Sequence, residues 1–228
     1  FLGNQAPGAF TKKIAVGDRW VYSIPDSVSW EEGAAVEPLA IAVHALKRAG
    51  VRQGDKIAIV GGGTIGLFAL SAAKAAGVSY AAVVEPVDWR AKLAKEIGAD
   101  LVVKPDEADE IIKDTEVGVD VSIEAVGKSE TAALALSLTR KGGRTVIAGV
   151  FEIPQVQFNP MLLVDNEKEI YGTLGYSWGD FPTAISLIAK GLVNAKKLVS
   201  RVLPLDQAEE GFRLALSRQQ VVKVQLQP

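Results

Sequence analysis

Cysteine is absent from this 228-residue sequence, and histidine occurs once, at His44. The first absence excludes disulfides and fits a reducing compartment, so the expected location is the cytoplasm. Together the two mean that the chain cannot assemble a Cys/His zinc site from its own residues. Long apolar runs are missing too: segments such as Lys56–Val60 and Ala81–Val84 are far too short to cross a bilayer. No signal-peptide pattern opens the sequence. Neither charge is in excess, for the formal net charge is −2 and there is no basic tract, which argues against nucleic acid or an anionic membrane as partner. Methionine is nearly missing, with Met161 alone and Phe at position 1, so the sequence reads as cut from something longer. What remains is an ordinary globular composition, long enough for one large or two smaller domains with a substantial core.

Residues 9–16 and 20–24 read as short strands joined by a turn at Gly17-Asp18, and Pro25-Asp26 breaks the second. Ser29 offers an N-cap with Glu32 at the capping-box position. From Pro38 the run Leu39 to Leu46 is apolar all round, as in a buried helix that Gly50 stops. The pattern then alternates. Strands are expected at 56–60, 79–85, 101–103, 119–124 and 143–149, with helices at 64–76, 88–97, 106–113 and 129–139 between them. The strands are continuous apolar runs, which suits a parallel sheet covered on both faces. This predicts a doubly wound α/β fold, extended by a strand at 168–174 and a helix at 178–190. The tail, with a strand near 198–203, a helix at 206–217 and the alternating Val222-Lys223-Val224-Gln225-Leu226, looks like part of another domain, as do the first thirty residues.

The chemistry-bearing motif is Gly61-Gly62-Gly63-Thr64-Ile65-Gly66, set between the strand 56–60 and a helix. Glycine turns are common, but here both flanks are those of a dinucleotide-binding turn. Gly61 permits the tight turn, Gly63 lets backbone approach a pyrophosphate, and Gly66 lets helix and strand pack closely. The free N–H groups at Thr64 and Ile65 point at the phosphates, aided by the helix dipole. An acid is required about twenty residues on, and Glu85 closes the next strand. A carboxylate there accepts hydrogen bonds from the ribose hydroxyls and repels a 2′-phosphate, so the expected cofactor is NAD rather than NADP.

Several further stretches are similar to the medium-chain dehydrogenases, and within them to the zinc-dependent polyol and secondary-alcohol branch. They are Gly8-Ala9-Phe10-Thr11, Ile24-Pro25-Asp26, Val36-Glu37-Pro38-Leu39-Ala40, the glycine motif, Arg90 with Leu93-Ala94-Lys95-Glu96-Ile97-Gly98-Ala99-Asp100, and the ending Val222-Lys223-Val224. The resemblance implies a Rossmann domain over 35–195, with 1–34 and 196–228 as remnants of a β-rich catalytic domain. It places Val126, Gly149, Val150 and Leu174, at strand ends, on the nicotinamide side and Arg90 near the adenosine. It puts Glu37 beside a catalytic zinc; as an alternative, Glu37 is an acid at a helix start, favoured by the dipole. The family's N-terminal zinc-binding segments, with their cysteine, Gly-His-Glu stretch and four-cysteine lobe, are not in this sequence. Zinc is therefore not expected in this chain alone, and His44 reads as a core histidine.

Three functions stand at this point. The first is an NAD-dependent dehydrogenase moving hydride between a secondary alcohol or polyol and nicotinamide, present here as an incomplete chain and inactive by itself. The second is an NAD(H)-binding module without catalysis, and the third a zinc-independent quinone or enoyl reductase, against which Val36-Glu37-Pro38 argues. The stretch 150–160, with Val156-Gln157-Phe158 between two prolines, reads as an edge strand. The resemblance implies pairing of such edges across a two-fold axis, giving a homodimer or a larger homo-oligomer.

Overall fold

The computed structural model describes residues 3–153, 155–217 and 220–228. Its centre is a six-stranded parallel sheet in the order β3-β2-β1-β4-β5-β6. The strands are β1 (Lys56–Val60), β2 (Tyr80–Val84), β3 (Leu101–Val103), β4 (Val119–Glu124), β5 (Thr139–Ile147) and β6 (Glu169–Gly172). The order reverses between β1 and β4, which leaves a crevice above their C-terminal ends. Two further strands, β7 (Arg201–Pro204) and β8 (Val224–Gln227), pair in parallel as a separate sheet. The helices are α1 (Trp30–Arg48), α2 (Thr64–Ala75), α3 (Asp88–Ile97), α4 (Asp109–Thr115), α5 (Ser129–Leu138), the single turn α6 (Met161–Val164), α7 (Asp180–Ala189) and α8 (Ala208–Ser217).

The period of two along each strand sends alternate apolar residues to opposite faces. Ile57, Ile59, Ala81 and Val83 join one core cluster with residues of α1, α2 and α7. Ala58, Val60, Ala82 and Val84 join a second with residues of α4 and α5. Both faces are therefore covered, and the unbroken apolar runs are accounted for.

Helix α1 starts where its capping box predicts. Glu32 N–H donates to Ser29 Oγ at 3.4 Å and Ser29 N–H to Glu32 Oε2 at 2.9 Å, an arrangement worth about 1 kcal/mol. It continues through Pro38 and ends at Arg48, before Gly50 with φ +60°. Because α1 begins at Trp30, Glu37 sits two turns inside it. The macrodipole acts within the first turn, which Glu31 and Glu32 occupy, so the helix-start reading of Glu37 is overturned.

Three other expectations are corrected. Residues 9–24 contain no strand: alternation makes one only where a neighbour takes its N–H and C=O groups. Here Phe10, Ile14 and Val16 stay exposed, and Asp18–Trp20 close a single 3-10 turn instead. The segment around Val156-Gln157-Phe158 pairs with no strand either, since Gln157 N–H is taken by Ser129 Oγ at 3.0 Å. The outer edge of the sheet is β6, and Pro154 lies outside the described residues. Finally, β5 begins at Thr139, not 143. Lys141-Gly142-Gly143 is a bulge within it, since Thr139 pairs with Val119 but Arg144 with Val121.

Candidate functional site

The glycine turn sits at the C-terminal end of β1, where the sheet order reverses. Gly61 has φ +105°, and a Cβ there would lie 2.6 Å from a Val126 methyl. A Cβ on Gly66 would lie 1.8 Å from the Gly61 carbonyl oxygen, so only glycine lets α2 start this close to the strand. Gly63 differs from both: nothing lies within 4 Å of its Cβ position. It precedes α2 and provides no side-chain cap. The leading N–H groups of α2, at Thr64 and Ile65, have no partner within the helix, and the space at the Gly63 Cβ position beside them is open, as an anion site requires. The Thr64 hydroxyl is not part of that cradle; it donates to the Val222 carbonyl at 2.7 Å.

Glu85 follows β2 and is only 4% exposed. Its Oε2 accepts from Gly62 N–H at 2.7 Å and its Oε1 from Val87 N–H at 2.9 Å. A carboxylate has about four lone-pair directions, so two acceptor sites remain. The acid is therefore built into the glycine turn rather than lying on the surface. Arg90, in the first turn of α3, has its guanidinium 5.1 Å from the Trp89 ring centroid. Its Nε is buried and, among the described residues, has no hydrogen-bond partner.

On the other side of β1, Glu124 is wholly buried at the end of β4. Its Oε1 accepts from Val126 N–H and Gly127 N–H, both at 2.8 Å, and from the Thr131 hydroxyl at 2.7 Å. A Cβ on Gly149 would lie 2.2 Å from Gly127 N, so the turns after β4 and β5 touch. On this floor Val126, Val150 and Leu174 are respectively 42%, 86% and 79% exposed, an unusual amount of apolar surface for strand ends.

Glu37 is exposed on α1 but crowded by protein. Burial pushes its carboxyl up and the Lys223 ammonium pulls it back. The same crowding lowers Lys223, opposed by Glu37, and raises the Tyr176 phenol, to which Glu37 adds. Among the described residues no group of three or more His, Cys, Asp or Glu can hold a metal ion. The one histidine is engaged elsewhere: His44 Nδ1 lies 2.8 Å from Asp180 Oδ2. The donor set around Glu37, a lysine and a tyrosine, does not fit zinc.

Asp180, Lys223 and Tyr176 were not picked out as site residues from the sequence. The ending Val222-Lys223-Val224 was a visible signal for the lysine. For Asp180 there was none, because its partners Lys47 and His44 lie 133 and 136 positions away. Burial pushes the Asp180 carboxyl up, but hydrogen bonds from Lys47 and Ser177 outweigh it and hold the group down at about 2. A depressed folded-state pKa stabilises above the ordinary value of 3.8, and the contribution is lost as pH falls from there through about 2.

Among the described residues no helix is long and apolar enough to cross a membrane. Comparison with known proteins agrees with the geometry. A family model described as zinc-binding dehydrogenase matches residues 64–190, from the start of α2 to just past α7. The (R,R)-butanediol dehydrogenase of Bacillus subtilis is 34% identical over all of this chain and 67% of its own length. The sorbitol dehydrogenase of the same organism is 35% identical over 97% of this chain and 64% of its own. A crystal structure of 2R,3R-butanediol dehydrogenase from Bacillus subtilis superposes with a TM-score of 0.85 at 35% identity, covering 91% of this chain and 60% of that one. This chain thus spans roughly three fifths to two thirds of these relatives. With the reversed strand order, the glycine turn and the acid after β2 all in place, the chain belongs to the zinc-binding dehydrogenases, in the polyol and secondary-alcohol branch of the medium-chain family.

Proposed function

We propose that this chain supplies the NAD-holding part of a dehydrogenase that moves hydride between a secondary alcohol or polyol and nicotinamide. One observation carries the reading: an uncapped helix start with open space at Gly63 lies beside a buried carboxylate, Glu85, with acceptor capacity left. The pyrophosphate would rest on the N–H groups of Thr64 and Ile65, across the turn from Gly61 to Gly66. Glu85 would take the adenosine ribose, and the unpartnered Nε of Arg90 supports a polar group at that end. The other half of the cofactor then extends over β4, β5 and β6, against Val126, Gly149, Val150 and Leu174. Nicotinamide accepts the hydride; what these residues do is orient it and keep one ring face dry. Residues 35–195 would be the dinucleotide-binding unit, with 1–34 and 196–228 belonging to the catalytic one.

Glu37 with Lys223 and Tyr176 does not make a site for zinc, so the part proposed for this chain is to bind and orient the dinucleotide. Calorimetry should find one NADH per chain at micromolar affinity or better, while the same preparation holds no stoichiometric zinc by metal analysis. A chain that binds no NADH, or one with a tightly held zinc, overturns the respective half of this reading.

We further infer that two copies pair through the open edge of β6, where Ile170 is 41% exposed. Such an edge carries unpaired N–H and C=O groups and must be covered or paired. Light scattering should give twice the 24.1 kDa chain mass, and Ile170→Lys should halve it. A wild-type monomer at micromolar concentration defeats the idea.

A further inference from the structure

The loop 173–179 between β6 and α7 has little of its own to hold it. Leu174, Tyr176 and Trp178 are 79%, 40% and 56% exposed. Yet it borders the half of the cleft that the NAD reading gives to nicotinamide. Its anchor is Asp180, the first residue of α7, whose side chain is fully buried. Oδ1 accepts from Lys47 Nζ at 2.6 Å. Oδ2 accepts from Ser177 N–H and from the Ser177 hydroxyl, both at 2.6 Å, and lies 2.8 Å from His44 Nδ1. His44 and Lys47 are three apart, so they present one face of α1 to this carboxylate. Two of the four contacts thus reach into the loop and two into α1, the helix that also carries Glu37. Ring contacts secure the outer side: Trp20 stacks on Trp178 at 4.7 Å, and Tyr176 and Tyr22 meet Phe181 at 4.7 and 5.0 Å.

We propose that Asp180 is a positioning residue for the cofactor: it ties the loop 173–179 to α1 so that Leu174 forms a fixed wall against the nicotinamide half. The inference rests on the NAD reading above and adds a division of labour to it. The glycine turn, Glu85 and Arg90 grip the adenosine and phosphate half, and the Asp180 anchor governs the other half alone. A residue that merely stabilised the fold would affect both halves equally.

ADP-ribose, which is NAD without nicotinamide, separates the two. Calorimetry with ADP-ribose and with NADH should be run on the intact wild-type chain, Asp180→Asn and Ser177→Ala, following NADH fluorescence as a readout of ring immobilisation. Asp180→Asn removes the charge that Lys47 requires, whereas Ser177→Ala removes one loop bond and leaves α1 untouched. The expected result is NADH weakened about tenfold in Asp180→Asn and less in Ser177→Ala, with the fluorescence change on binding reduced and ADP-ribose affinity within about twofold of wild type. If Asp180→Asn does not fold, Ser177→Ala decides by the same comparison. Equal loss of both ligands, or no loss of NADH in a folded variant, overturns the inference while leaving the NAD reading intact. A wild type that binds neither ligand overturns both.

Discussion

A Gly66→Ala chain will melt at least about 6 °C below wild type and bind no NADH, whereas Gly63→Val will melt within about 2 °C of wild type and bind none either. The two glycines are in one motif but do different things. At Gly66 an added Cβ would sit 1.8 Å from the Gly61 carbonyl oxygen, well inside contact distance, and also close to Ile59. Neither strand nor helix can yield without opening the buried interface between β1 and α2, so the cost is at least about 3 kcal/mol. At Gly63 the φ and ψ of −77° and −171° suit any residue, and the Cβ position is empty. A valine there meets no protein atom within 4 Å of its Cβ and occupies the room that the NAD reading gives to phosphate. Calorimetry should register at least a hundredfold loss, about 2.7 kcal/mol. Should Gly63→Val bind NADH as wild type does, the turn is not the phosphate cradle.

The second large effect is cofactor choice. Wild type should hold NADH about a hundredfold tighter than NADPH, close to 2.7 kcal/mol. The 2′-phosphate would bring nearly two negative charges against a carboxylate that is 4% exposed and cannot swing away. It cannot swing because both oxygens are held, by Gly62 N–H and Val87 N–H. Glu85→Ser should reduce the preference below tenfold. It should also weaken NADH itself, since the Gly62 N–H then loses the acceptor that shapes the turn. Paired NADH and NADPH titrations measure this, and equal wild-type affinities would remove Glu85 from the adenosine site.

Most of the sheet was legible because its order lies in local patterns. Residues 57–60 and 81–84 are apolar runs too short for helices and too continuous for a half-exposed strand, and both are buried. The roles of Gly61 and Gly66 follow from spacing alone. Pairing was not legible. The alternation at Phe10, Ile14 and Val16 looks like a strand, but it finds no ladder. Lys141-Gly142-Gly143 looks like a break and is a bulge, because β4 continues to pair beyond it. The edge was misplaced for the same reason: whether 156–158 or 169–172 forms the outer strand depends on which segment β5 recruits. Nor could Asp180 announce itself, since its carboxylate has meaning only beside Lys47 and His44.

The hydrogen bond from the Thr64 hydroxyl to the Val222 carbonyl joins residues 158 positions apart, and Gln225 reaches the Glu31 carbonyl across 194. Each strand–helix–strand unit of the main sheet closes over a few tens of residues and can form as the chain leaves the ribosome. The turn beside Gly63 acquires its last polar bond much later, once Val222 has been synthesised, and that closure over a long loop is the slow kind. The sheet can therefore be standing before the glycine turn is tied to the tail. Formation of the sheet and the tying of this turn to the tail are thus separable in time, with Val222 as the later partner.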